Sequence, residues 1–305
     1  MQKKSLLTVF LVTLVVGGLV LVSSFNHSFV QAATEFGGII SSDATWTKAN
    51  SPYILTGNVL VNHGVTLTIA PGVTVNLDSY YIMINGTLNA RGNNTNPITF
   101  NANPSTDPSS NEGQIIFTQS SIGWNDSTST GSIIENAVVY PTLTLESSLK
   151  INNDTISGLI DIQTTKGTSI ILNNTIKGGI NVGPWGTGYS NAVSATISNN
   201  NIMNGRVIIT LPDTGNITVS GNVISGYGLL TANFWWYSGT LVPLIENNLI
   251  INSTTQLQII LLEFTFPMLS YLPELVHHTH STRLFRTTIF MATPIIMLTI
   301  KTQVI

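Results

Sequence analysis

The sequence predicts an all-β solenoid, a stack of parallel coils of about 22 residues each. Four observations carry this. A six-residue motif (apolar, any residue, Asn or Gly, small polar, any residue, apolar) occurs at 134–139, 151–156, 171–176, 197–202, 219–224 and 245–250. Its copies start 17, 20, 26, 22 and 26 residues apart, a spacing that suits one solenoid coil with uneven insertions rather than an array of hairpins. Short apolar/polar alternations separated by turn residues fill the intervals, as strands do. Only 8% of residues are charged, against about 25% in an average soluble domain, and stacked like charges one strand apart would repel.

Composition also excludes function classes. The 11 Lys and Arg and a net charge of −3 leave no basic footprint for nucleic acid. The absence of Cys removes disulfide scaffolds, zinc–thiolate sites and cysteine nucleophiles.

Residues 1–33 read as a secretory signal: Lys3 and Lys4, an apolar run over 6–22, and a small-residue cut site at Ala32 or Ala33. The run exceeds the usual ~7–15 residues, so an uncleaved N-terminal anchor is the alternative. Either way the remainder is exported, to an extracellular or cell-surface location. The membrane is engaged only if this segment is kept.

Residues 34–256 form the predicted solenoid. The opening part is looser: Val65-Thr66-Leu67-Thr68-Ile69, Val73-Thr74-Val75 and Tyr81-Ile82-Met83-Ile84 are short strands, with Ala70-Pro71-Gly72, Asn85-Gly86 and Asn96-Pro97 as turns. Residues 34 to about 50 are placed as a cap, and 101–113, rich in Pro, Ser and Asp, as a protruding loop. No helix of 10 or more residues is expected in the body. In the repeat, Asn tolerates the left-handed conformation and bonds nearby backbone, so Asn136, Asn153, Asn174, Asn200, Asn222 and Asn248 are expected at corners. Stacked amides there form hydrogen-bonded ladders. Asp154 falls in that corner column.

Residues 257–305 contain no Gly and no Asn, which recur every few residues before them. Read one frame over with A/T-rich codons, 257–267 gives Ile-Thr-Asn-Asn-Ile-Ile-Gly-Ile-Tyr-Ile-Ser, the upstream motif. The tail is therefore read as out-of-frame translation of further coils, with an apolar membrane anchor as the rival. His277, His278 and His280 lie inside it and are given no metal role.

Gly64-Val65-Thr66-Leu67-Thr68-Ile69-Ala70-Pro71-Gly72-Val73-Thr74-Val75, with Asn85-Gly86-Thr87-Leu88 and Pro97-Ile98-Thr99-Phe100, resembles the opening coils of secreted right-handed, single-stranded parallel β-helix proteins. The Asn-Asn repeats are similar to the same superfamily, which includes pectate lyases, polygalacturonases and the carbohydrate-binding domain of the NosD type. The resemblance implies three parallel sheets per coil and surface or carbohydrate-related roles. It also implies where catalysis would sit: lyases use clustered Asp ligands for calcium with an Arg base, and hydrolases use paired Asp on adjacent coils.

Asp161 and Arg206 are the candidates for such chemistry. The outward column Asp161, Asn181, Ile208 puts one carboxylate beside an amide, which is not an acid–base pair. No Asp cluster accompanies Arg206, and no metal-ligand spacing supports a metal-insertion role of the NosD kind. The aromatic insertions Trp185 with Tyr189, and Trp235-Trp236-Tyr237, fit stacking on sugar rings, or else packing against the coil edge. Sequons at Asn93 and Asn125 lie in loops and are the plausible glycan acceptors. The expected function is an exported, non-catalytic, adhesin-like protein that contacts glycans or cell-envelope components without a cofactor. A polysaccharide lyase or glycoside hydrolase is the alternative, calcium being required only for the lyase.

Overall fold

A computed structural model describes residues 32–102, 113–164, 166–183, 192–210, 214–233, 243–251, 258–261 and 300–304. Every pairing between its strands is parallel, and the chain winds as a right-handed coil through three sheets in turn. Sheet A stacks Ala44–Trp46, Thr66–Ile69, Thr87–Arg91, Ile133–Glu135, Lys150–Asn152, Ser169–Leu172, Ala192–Ser198, Thr214–Ser220 and Leu244–Ile251. Sheet B stacks the start of Tyr53–Val61, then Thr74–Asn76, Ile98–Asn101, Ala137–Val139, Thr155–Ile156 and Thr175–Ile176. Sheet C stacks the end of Tyr53–Val61, then Ile82–Ile84, Gln114–Phe117, Thr142–Leu145, Ile160–Ile162 and Ile180–Val182. The long strands Asn201–Thr210 and Val223–Asn233 bend from sheet B into sheet C without a break.

The alternation read from the sequence sets the core. In sheet A the register aligns Trp46, Ile69, Ala90, Ile134, Ile151, Ile171, Ile197, Val219 and Ile245 in one inward column, each at most 5% exposed. Sheet B contributes Val75, Phe100, Val139, Ile156 and Ile176, and sheet C contributes Ile84, Phe117, Leu145, Ile162 and Val182. Burying each Val, Leu, Ile or Phe side chain of these columns stabilises the stack by about 1.5–3 kcal/mol. Successive members of the sheet A column are 17 to 26 residues apart, except for the 44 between Ala90 and Ile134. Coil length is therefore variable, because the corners absorb insertions while the strands keep register.

The N-terminal segment expected to cap the stack forms a paired coil. Thr34–Ile40 runs beside Tyr53–Val61, and Ala44–Trp46 beside Thr66–Ile69. An aromatic trio closes the core there: the Trp46 and Tyr53 rings stack at 4.6 Å and Phe36 meets Trp46 edge-on at 5.7 Å.

The corner between sheets B and C is held tight by backbone contact. A Cβ on Gly158 would lie 2.0 Å from the Pro141 carbonyl oxygen, and one on Gly178 would lie 2.1 Å from that of Gly158. The Gly that follows several copies of the motif is thus required by close approach of successive coils.

Within the tail, Gln258–Leu261 pairs with the end of Val223–Asn233 in sheet C, and Ile300–Val304 with Leu244–Ile251. Residues 1–31, residues 103–112 of the expected loop, the three histidines and the remainder of the tail lie outside the described residues.

Candidate functional site

The corner between sheets A and B carries the amides, and they divide into two adjacent columns with different work. Asn136, Asn153, Asn173, Asn199 and Asn247 have φ between 51° and 61°, and Gly221 takes the same place at 67°. These left-handed residues make the bend, a conformation that Asn and Gly tolerate best. The next residue in each copy turns inward: Asp154, Asn174, Asn200, Asn222 and Asn248 are all at most 3% exposed. Asn136 and Asn153 therefore belong to the bend, not to the ladder with the other four predicted corner residues. Consecutive residues at a bend point to opposite sides, so one motif supplies both columns.

The ladder repeats one set of bonds. Asn200 Oδ1 accepts from the main-chain N–H and the Nδ2 of Asn174, at 2.9 and 3.0 Å. Asn200 Nδ2 donates back to the Ile171 carbonyl at 2.9 Å and onward to Asn222 Oδ1 at 2.9 Å. Asn222 and Asn248 repeat the onward link at 2.9 Å, and Asn248 Nδ2 reaches back to the Val219 carbonyl at 2.8 Å. This corner is a structural spine, closed to ligand by its burial.

The outward face of sheet C is one of the accessible polar surfaces among the described residues. Register aligns Thr144, Asp161, Asn181 and Ile208, and beside them Glu146 and Gln163. Gln114 joins this face through a 3.2 Å bond from Thr144 Oγ1. Gln163 Nε2 donates to Asp161 Oδ2 at 2.7 Å, and the Gln119 main-chain N–H donates to Glu146 Oε2 at 3.3 Å. Arg206 does not join Asp161. It lies beside Gly179, two coils on and two residues before the Asp161–Asn181–Ile208 column, and it is exposed.

Glu146, however, is a diagonal neighbour of Asp161 on the adjacent coil. Strand spacing and rise place their Cα atoms about 8 Å apart. The sequence reading missed it by comparing only residues at the same register position. The signal was present, because Glu146 lies two residues after Thr144, the partner of Asp161.

Insertions gather where sheet C leads to sheet A. Residues 118–132 follow Gln114–Phe117, residues 184–191 follow Ile180–Val182, and residues 234–242 follow Val223–Asn233. Trp185, Tyr189, Trp235, Trp236 and Tyr237 lie outside the described residues. The described insertion folds back: Trp124 is 5% exposed, beside the outward-facing but buried Ile133 strand. Lys150 Nζ sits 4.8 Å and the Arg91 guanidinium 5.6 Å from the Trp124 ring centroid. The same two cations pair with Asp126 at 3.6 Å and Glu135 at 3.4 Å.

Both loop sequons adopt one geometry. Asn93 Oδ1 accepts from the Thr95 N–H at 3.1 Å and the Thr95 hydroxyl at 2.8 Å. Asn125 Oδ1 accepts from the Ser127 N–H at 3.0 Å and the Ser127 hydroxyl at 2.6 Å. Both Asn side chains are exposed in these Asx-turns. Among the described residues no three His, Asp or Glu side chains converge as ligands for a metal.

Residues 38–140 match the family model of the pectate-lyase-like β-helix domain. No curated protein and no solved structure matches the chain. The family match ends at Tyr140, just before the amide ladder begins, and the same three sheets run on through it. The described body is a right-handed parallel β-helix whose opening coils match the model of the pectate-lyase-like β-helix domain.

Proposed function

We propose that this chain is an exported surface β-helix that holds glycans or cell-envelope components against the outward face of sheet C without cleaving them. The supporting observation is the register-aligned outward column of Thr144, Asp161 and Asn181, flanked on the same face by Gln114, Glu146 and Gln163. Amides, hydroxyls and carboxylates at about 4.8 Å intervals can pair with successive sugar hydroxyls. The signal segment over 1–33 and the two exposed Asx-turn sequons agree with an extracellular or cell-surface location. The aromatic insertions extend this face if Trp185, Tyr189, Trp235, Trp236 and Tyr237 present their rings to sugar. A glycan array is the test. The Q163A/N181A double variant is expected to lose binding about tenfold or more, the effect of a few lost hydrogen bonds. Undiminished binding with an unchanged circular-dichroism spectrum contradicts the proposal.

The placement of Glu146 and Asp161 favours one second reading, glycoside hydrolysis. Carboxyl groups roughly 5–9.5 Å apart across a glycosidic bond serve as acid and base or nucleophile. Reducing-sugar release by the parent that disappears in both E146Q and D161N would replace the binding reading with this one. A product that requires calcium would point instead to a lyase.

A further inference from the structure

The amide ladder begins with a carboxyl group. Asp154 Oδ1 accepts the Ala137 main-chain N–H at 2.6 Å, and the Asp154 N–H donates to Asn174 Oδ1 at 2.8 Å. Those are the bonds of a ladder asparagine. The second oxygen is different. Asp154 Oδ2 is buried and has no hydrogen-bond partner among the described residues.

Its surroundings follow from the repeat. Each ladder Nδ2 donates to a carbonyl one coil back: Asn174 to Ile151, Asn200 to Ile171, Asn222 to Ile197, Asn248 to Val219. These carbonyls belong to one register column, whose preceding member is Ile134. Asn174, Asn200 and Asn222 also send Nδ2 to the next amide oxygen. At Asp154 the corresponding oxygens are the Ile134 carbonyl and Asn174 Oδ1. A carboxylate oxygen in that position faces acceptors with no proton between them. A carboxylic acid O–H supplies the missing donor.

We propose that Asp154 stands in the ladder as a neutral carboxylic acid, donating Oδ2–H where its neighbours donate Nδ2–H, and that its ionisation loosens the corner joining the Ala137 and Asn174 coils. Burial raises its pKa well above the ordinary carboxylate range, and the Glu135 charge raises it further, against the lowering effect of the nearby Ala137 and Asn152 backbone groups. The charged groups around the corner are few. On the preceding coil Glu135 is tied to Arg91 at 3.4 Å, and on the Asp154 coil Lys150 lies 3.6 Å from Asp126. On the following coil the ladder neighbour Asn174 is neutral and Lys177 is exposed.

The sign is fixed. A carboxyl that holds its proton more tightly when folded contributes stability that is complete below the unfolded value, about 4, and is lost as pH rises through the folded value. The test compares urea midpoints of the full chain and the D154N variant at about pH 4 and about pH 8. The parent's midpoint should fall relative to that of D154N as pH rises, because an amide supplies the donor at every pH. The Asp154 carboxyl carbon, followed by NMR in the folded parent, should stay protonated through the range where exposed carboxyls titrate. Parallel pH profiles for parent and D154N, or ordinary carboxylate titration of Asp154, would overturn the proposal.

Discussion

Asn200→Ala is expected to lower stability by about 3–5 kcal/mol, whereas Asn199→Gly, one residue earlier, should change it by less than about 0.5 kcal/mol. Removing the Asn200 amide takes the acceptor from the buried Asn174 N–H and the donor from the Ile171 carbonyl, and cuts both links along the ladder. Each buried polar group left without its partner costs about 1–3 kcal/mol. Asn199 does something else: it occupies a left-handed bend with φ of 55° and is exposed. Glycine fits that conformation without a Cβ penalty, and Gly221 already does so in the same column. Asn199→Ala, which keeps the Cβ, should cost about 1–2 kcal/mol. Urea denaturation of the three variants orders them, and equal losses for Asn199→Gly and Asn200→Ala would refute the division of labour.

Phe117→Ala is expected to cost about 3–5 kcal/mol and Phe117→Leu less than about 1.5 kcal/mol. Phe117 and Phe100 are fully buried and lie in the same coil, the one interrupted by the 103–112 insertion. Phe117 fills the sheet C column between Ile84 and Leu145, so truncation leaves a void bordering the coils on both sides. In a solenoid each coil is supported only by its neighbours, so such a void weakens two interfaces at once. Ile39→Ala, at a position 63% exposed, serves as the matched control and should shift the urea midpoint little.

Much of the fold was legible because the solenoid writes one instruction many times. The steps from Ile134 to Ile245 are the register steps of sheet A, and Asp161, Asn181 and Ile208 align as outward residues in sheet C. Less visible was anything that depends on where a side chain points at a bend. Treating both Asn of each pair as one corner merged the left-handed residues with the buried ladder. The 118–132 insertion was also opaque: nothing in the order of residues says that Trp124 folds back between Lys150 and Arg91. Within the site, the Asp161 column could be read by alignment, but Glu146 required diagonal geometry across two coils.

The claim beneath all of this is that equivalent residues of successive coils lie directly above one another. Because the chain has no cysteine, paired cysteines can test it without background. Thr155 and Thr175 are parallel register partners facing outward in sheet B, about 4.8 Å apart, within disulfide reach. Asn201 lies one coil further on, about 9.6 Å from Thr155 and beyond that reach. Mild oxidation should therefore cross-link T155C/T175C in the folded monomer and leave T155C/N201C reduced. A cross-link in the second pair, or none in the first, would contradict the stack.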